Sequence, residues 1–186
     1  MSSEIGKKAN PGPLGLAGFG MTTVLLNLHN AQIIEFSIII VAMGLCLGGL
    51  AQIIAGITEF KVGNTFGGVA FTAYGTFWWS FCLIKINPFK EVIGGADEMG
   101  LVFYLILWGL FTFGMFLGTL AHNWITRIVF FSLTVLFFLL AAGDFFHSHD
   151  ITKIAGYVGV FCGLSAIYSS LGQVVNGEFA KKVFPM

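Results

Sequence analysis

Ionisable side chains, the usual carriers of chemistry, are few in this chain and stand at the margins of long apolar stretches. Glu59, Lys85, Arg127 and Lys153 each fall at or near the end of such a stretch, where a side chain can reach back to water. The four histidines, His29, His122, His147 and His149, do the same. His147-Ser148-His149-Asp150 offers two imidazoles and a carboxylate. On an exposed loop such a set binds adventitious metal more readily than it forms a functional centre, so neither metal nor cofactor is expected. Cys46, Cys82 and Cys162 lie inside apolar runs without a CxxC partner and read as small packing residues. There is no phosphate-cradling glycine loop, nucleophile elbow or HExxH, so an enzyme is not expected.

What stands in the middle of the apolar stretches is polar but neutral: Thr22, Thr23, Asn27, Gln52, Thr72, Tyr74, Thr76, Ser80, Ser132, Thr134, Ser165, Tyr168 and Gln173. A path lined by some of these would hold an anion by hydroxyl and amide donors, yet weakly enough to release it. Hydrogen bonding between helices is the competing use and suits most of them. Asn10-Pro11-Gly12-Pro13 is a second device. Proline at a helix start leaves free N–H groups, and a helix N-terminus attracts a carboxylate. The same segment serves equally as a plain cap at the membrane surface.

The elements that must position these groups are helices in lipid. Crossing a membrane takes about 20 predominantly apolar residues. Six stretches qualify, at 14–28, 36–57, 65–86, 99–120, 125–146 and 154–175. Hydrophobic residues make up 56% of the 186 and charged residues 10%, against about 25% charged in a soluble domain. A chain this short could not hide so much apolar surface in a water-soluble fold. The expectation is an all-α membrane protein, one six-helix transmembrane domain over residues 1–186, with the lipid bilayer as its solvent. Zero net charge gives no reason to expect nucleic acid. The polar N-terminus reads as preceding a retained helix rather than a cleaved signal. Lys7, Lys8, Lys61, Arg127, Lys181 and Lys182 fall on one side of the six-span arrangement, and Lys85, Lys90 and Lys153 on the other. Both termini are therefore expected to be cytoplasmic.

Glycine numbers 25, and many lie inside the spans, where close helix approach is their usual use. GxxxG occurs in the second, fourth and sixth spans as Gly44/Gly48, Gly114/Gly118 and Gly159/Gly163. The first, third and fifth spans share another pattern, a large residue followed by hydroxyls or glycine: Phe19-Gly20-Met21-Thr22, Tyr74-Gly75-Thr76 and Leu133-Thr134. Three repeats of one helical hairpin are expected, near 14–62, 64–123 and 125–179, around a central path.

The stretch NPGPLGLAGFGMTTVLLNLHN at 10–30 resembles the NPAPLGL-type opening of the acetate uptake transporter family, which includes bacterial succinate–acetate permeases. Further matches are KVGNTFG at 61–67, FTAYGTFWWS at 71–80, FGMFLGTL at 113–120, FFSLTVLFFLLA at 130–141 and SAIYSSLGQVVNGEFAKKVFP at 165–185. They cover all six spans. Gly12 departs from the usual alanine but keeps both prolines, which implies a looser turn rather than lost function.

The resemblance implies a homo-hexamer in the inner (plasma) membrane, each protomer with its own path for acetate and other small monocarboxylates or dicarboxylates, succinate among them. It implies an apolar constriction formed by Phe19, Tyr74 and Leu133. Further candidates for lining the path or binding substrate are Asn10, Pro11, Leu14, Gly15, Thr22, Thr76, Thr134 and Ala166. Ala166 matches a position that influences substrate size, and Leu164 is bulkier than the alanine usual there, which would narrow the path. A bare anion in apolar surroundings is costly, and carboxylic acids titrate near roughly pH 4. Passage as the protonated acid would give proton-linked uptake without a side-chain relay. The alternatives are a passive channel for a small neutral solute such as urea and a tetraspanin-like scaffold.

Overall fold

The computed structural model describes residues 9–186; Lys7 and Lys8, which count toward the expected orientation, lie outside the described residues. Helix α1 (Gly12–Asn30) begins on the proline-rich turn, where Asn10 Oδ1 accepts the Gly12 N–H at 3.0 Å. Helix α2 (Ile38–Lys61) follows, then α3 (Thr65–Ile86), α4 (Glu98–Thr119), α5 (Trp124–Phe145) and α6 (His149–Glu178). A single helical turn at Lys90–Ile93 interrupts the long 87–98 connection. The last four long helices each start on a side-chain cap: Asn64, Asp97, Asn123 and Ser148 accept from the N–H of the residue three further on. Each such cap gives one orphan donor of the first turn a partner. The Ser148 cap also explains why α6 begins ahead of the 154–175 stretch, since His149 and Asp150 can occupy its polar first turn.

Helix backbones pack closely from α1 through α2 to α3 and from α4 through α5 to α6, and α6 closes back on α1. The α1–α6 seam is glycine-lined: a methyl group on Gly20 would stand 2.7 Å from the Gly163 carbonyl oxygen, so the backbones touch. Gly44/Gly48 and Gly159/Gly163 both pack inside the chain, against Cys82 and Trp78 and against Asn27 and Val24. Gly114 on α4 faces open space. Between α3 and α4 aromatic rings fill the gap, with Phe77 stacked on Tyr104 at 5.9 Å.

Polarity is inverted relative to a water-soluble globule. Thr22, Asn27, Gln52, Thr112 and Thr119 are buried, while Ile39, Phe103, Leu107, Phe131 and Phe161 are exposed on outward faces. Five helices, α2 to α6, are long and apolar enough to cross a membrane. Helix α1 has 19 residues, about 28 Å at 1.5 Å each. Its composition falls short because Gly15, Gly18, Gly20, Thr22, Thr23 and Asn27 meet other helices instead of lipid.

One feature has no counterpart among the sequence expectations. Over Gly44–Ala51 the middle of α2 widens into a π-helix. Such segments carry an extra residue per turn and turn the following side chains to a new face. The next residue is Gln52.

Candidate functional site

Helices α1, α3 and α5 each present one stripe of side chains at helical spacing to a common axis. From α1 these are Leu16, Phe19, Thr23 and Leu26; from α3, Ala70, Tyr74, Phe77 and Phe81; from α5, Val129, Phe130, Leu133 and Leu140. Four cavities follow one another along that axis. The first, about 250 Å³, opens at the Asn10 end and is walled by Asn10, Glu59, Asn64, His122, Asn123 and Gln173 among others. It shares Leu16, Ala70, Phe71 and Phe130 with the second, of about 20 Å³. The second shares Phe19, Tyr74 and Leu133 with the third, of about 30 Å³. The third shares Leu26, Phe77 and Leu140 with the fourth, about 130 Å³, where His29, Lys85 and Asp144 stand. A wider, open groove of about 420 Å³ adjoins the fourth cavity through Leu101, Asp144 and Thr152.

The two middle cavities are on the scale of one water molecule each. Acetate, with two carbons and two oxygens, passes only if a wall side chain moves. Phe19 is 6% exposed and Tyr74 and Leu133 are 3% exposed, with the Phe19 and Tyr74 rings 5.9 Å apart. The Tyr74 ring is also backed by Trp108, Phe111 and Phe130. Its hydroxyl donates to Thr112 Oγ1 at 3.0 Å, and Thr112 in turn donates to the Trp108 carbonyl. Tyr74 therefore turns its ring, not its hydroxyl, to the waist.

The remaining candidates separate by place. Asn10 walls the first cavity, and its Nδ2 donates to Gln173 Oε1 at 2.9 Å, tying the start of α1 to α6. The Pro11 carbonyl accepts from the Leu14 and Gly15 N–H groups and so opens α1. Leu14 is exposed on the outer face, and Gly15 lies under the Phe71 ring. Thr22 is fully buried, its hydroxyl without a partner among the described residues, and stands outside the four cavities. Thr76 is exposed and donates to Ala73, and Thr134 donates to Phe130; both bonds stay within their own helix. Ala166 is fully buried in the core. Leu164 does not narrow the path: it is 53% exposed, because the Gly163 and Ala166 face of α6 turns inward and Leu164 turns away from it.

Two side chains that the sequence names only as a stretch-end carboxylate and as one of many mid-stretch polar groups take definite places. Glu59, near the end of α2, is only 4% exposed; it accepts from Asn64 Nδ2 at 2.8 Å and walls the first cavity. Gln52 is fully buried, walls the second cavity, and has no partner for either amide atom among the described residues. Each unsatisfied buried group costs about 1–3 kcal/mol. An amide in the midst of GGLAQIIAG was the available signal for Gln52; the widened turn that directs it was not readable. Among the described residues no group of His, Cys, Asp and Glu side chains is arranged to hold a metal ion.

A model of the GPR1/FUN34/yaaH family matches residues 2–186. The succinate-acetate/proton symporter SatP of Escherichia coli (strain K12) is 50% identical over 180 residues, covering 97% of this chain and 96% of that protein. Ammonia transport outward protein 2 of Saccharomyces cerevisiae is 39% identical over 183 residues, covering 95% of this chain and 65% of that protein. A solved structure of the bacterial acetate channel SatP superposes with a TM-score of 0.94 at 50% identity, covering 97% of this chain and 99% of that one.

Proposed function

Because the chain belongs to the GPR1/FUN34/yaaH family, we propose that it moves acetate and related small carboxylates, succinate among them, across the inner membrane through the four cavities, with Phe19, Tyr74 and Leu133 as their constriction. One observation carries this reading: successive cavities share wall residues without a break, and the three residues shared at the narrowest point come one each from α1, α3 and α5. A curated relative and a solved structure, each half identical to this chain over nearly its whole length, are named for acetate. That favours a carboxylate over a neutral solute such as urea, and transport over enzymatic chemistry.

The chain crosses the membrane six times as three hairpins, near 14–62, 64–123 and 125–179, with both termini cytoplasmic. In support, the odd helix of each hairpin supplies one waist residue. Lys61, Arg127, Lys181 and Lys182 outnumber the basic residues of the opposite side. The protomers assemble as hexamers, for which the outward apolar faces and the open Gly114 side of α4 provide surface. Transport is proton-linked through the substrate itself: the protonated acid enters the apolar waist far more cheaply than the anion.

The test is uptake of labelled acetate by vesicles containing the purified chain, compared with protein-free vesicles. Unlabelled succinate should compete and urea should not. Uptake equal to that of protein-free vesicles, or competition by urea equal to that by succinate, would overturn the reading.

A further inference from the structure

The start of α1 turns acceptors, not donors, toward the first cavity. Pro11 and Pro13 carry no N–H, the Gly12 N–H goes to Asn10 Oδ1, and the Leu14 and Gly15 N–H groups go to the Pro11 carbonyl. These residues therefore hold no free backbone donor for a carboxylate, contrary to what the proline-rich start led us to expect. The amides nearby are oriented by their own bonds: Asn10 Nδ2 donates to Gln173 Oε1, and Asn64 Nδ2 to Glu59 Oε2. What remains turned to Gly12 is oxygen. A methyl group there would stand 3.1 Å from Asn10 Oδ1, 3.2 Å from Gln173 Oε1 and 3.3 Å from Glu59 Oε1. The three oxygens come from the start of α1, from α6 and from α2. Their residues, and Gly12 itself, wall the same cavity of about 250 Å³.

Glu59 is 4% exposed, and its Oε1 has no hydrogen-bond partner among the described residues. Among them, no lysine or arginine stands in the wall of this cavity to balance the carboxylate. A buried charge is costly until it is paired. One carboxylate oxygen and two amide oxygens make an all-oxygen set, the donor type that suits hard cations. Its one negative charge matches a monovalent ion. We propose that the first cavity binds one small monovalent cation, alkali metal or ammonium, on Glu59 Oε1, Asn10 Oδ1 and Gln173 Oε1, in the room that Gly12 leaves. On the acetate reading, this ion cancels the charge that would repel a carboxylate at the mouth of the path.

The test takes the full chain in detergent, without acetate, and compares its thermal midpoint in choline chloride with that in sodium, potassium and ammonium chloride at equal ionic strength. At least one small cation should raise the midpoint by about 2–4 °C, and the salt that raises it most names the ion. Glu59→Gln removes the charge and keeps an acceptor for Asn64. Gly12→Ala fills the room with a methyl group. Each should abolish the rise, while its own midpoint in choline shows that it is folded. In vesicles, wild-type acetate uptake should be about fivefold faster with that ion than with choline, the lower end of the usual coupling between two ligands. The difference should vanish in both variants. Equal wild-type midpoints in all four salts would overturn the inference, as would a rise that persists in either variant. A rise seen only after Lys7 and Lys8 are both replaced by glutamine would make a lysine the partner of Glu59, and would overturn it too. Because the midpoint is read without acetate, failure of the acetate reading would leave this inference standing.

Discussion

Phe19, Tyr74 and Leu133 are held with unequal firmness. Tyr74 is ringed by four aromatic neighbours and tethered at its hydroxyl. Leu133 makes only dispersion contacts and has no polar tether, so it is the waist residue through which size selection is most readily altered. Leu133→Ala should raise the succinate-to-acetate uptake ratio by about tenfold, the scale on which one misfit methylene discriminates. Unchanged ratios across formate, acetate and succinate would remove Leu133 from the waist. Glu59 bears on proton linkage. It walls the wide first cavity, away from the narrow waist. Replacing it by glutamine keeps an acceptor for Asn64 Nδ2. Glu59→Gln should therefore retain proton-dependent acetate uptake to within about threefold, about 0.6 kcal/mol at the standard rate of conversion. Loss of proton dependence with acetate flux intact would make Glu59 the coupling group and refute coupling through the substrate.

At the scale of elements, the α1–α6 seam sets where α1 stands and hence where Phe19 points. Gly20 and Gly163 face each other so closely that a single methyl meets backbone, which cannot swing aside as a side chain would. Gly20→Ala should therefore cost about 1–3 kcal/mol of stability, the usual range for overpacking, measured as a lowered thermal midpoint in detergent. It should also slow acetate uptake, because Phe19 is the preceding residue and moves with the displaced helix. A midpoint within one degree of wild type would show that the seam can open without cost. Gly177→Ala near the end of α6 is the matched control, since nothing among the described residues lies within contact distance of it.

For the whole molecule, the six-span topology proposed above puts both ends in the cytoplasm. A reporter fused after Met186 that fluoresces only in the cytoplasm should be bright, and one that is active only outside the cytoplasm should be silent. The reverse pattern would invert the protein and exchange the inner and outer roles of the Glu59 and Lys85 cavities. The outward apolar faces are large enough to meet either lipid or further copies of the chain, and native mass measurement of the detergent-solubilised protein should give six copies.

Much of this was legible in the residue order because lipid imposes a simple rule: long apolar stretches, few charges and glycines where helices meet. Residue order and family resemblance together also pointed to Phe19, Tyr74 and Leu133, since each stands at the same place in its helix. Other features depended on three-dimensional context. Helical phase decides which hydroxyl faces inward, so Thr76 and Thr134 bond within their own helices and Leu164 turns away from the path. Neighbouring rings decide what Tyr74 shows to the waist. The widened stretch of α2 at Gly44–Ala51 packs against Trp78 and Cys82, and no local preference of GLCLGGLA announces it. Sequence by itself determined a helical membrane protein and its family resemblance; tertiary structure alone brought Gln52 beside the narrowest cavity, because the direction of a side chain is fixed by its neighbours and not by its own residue type.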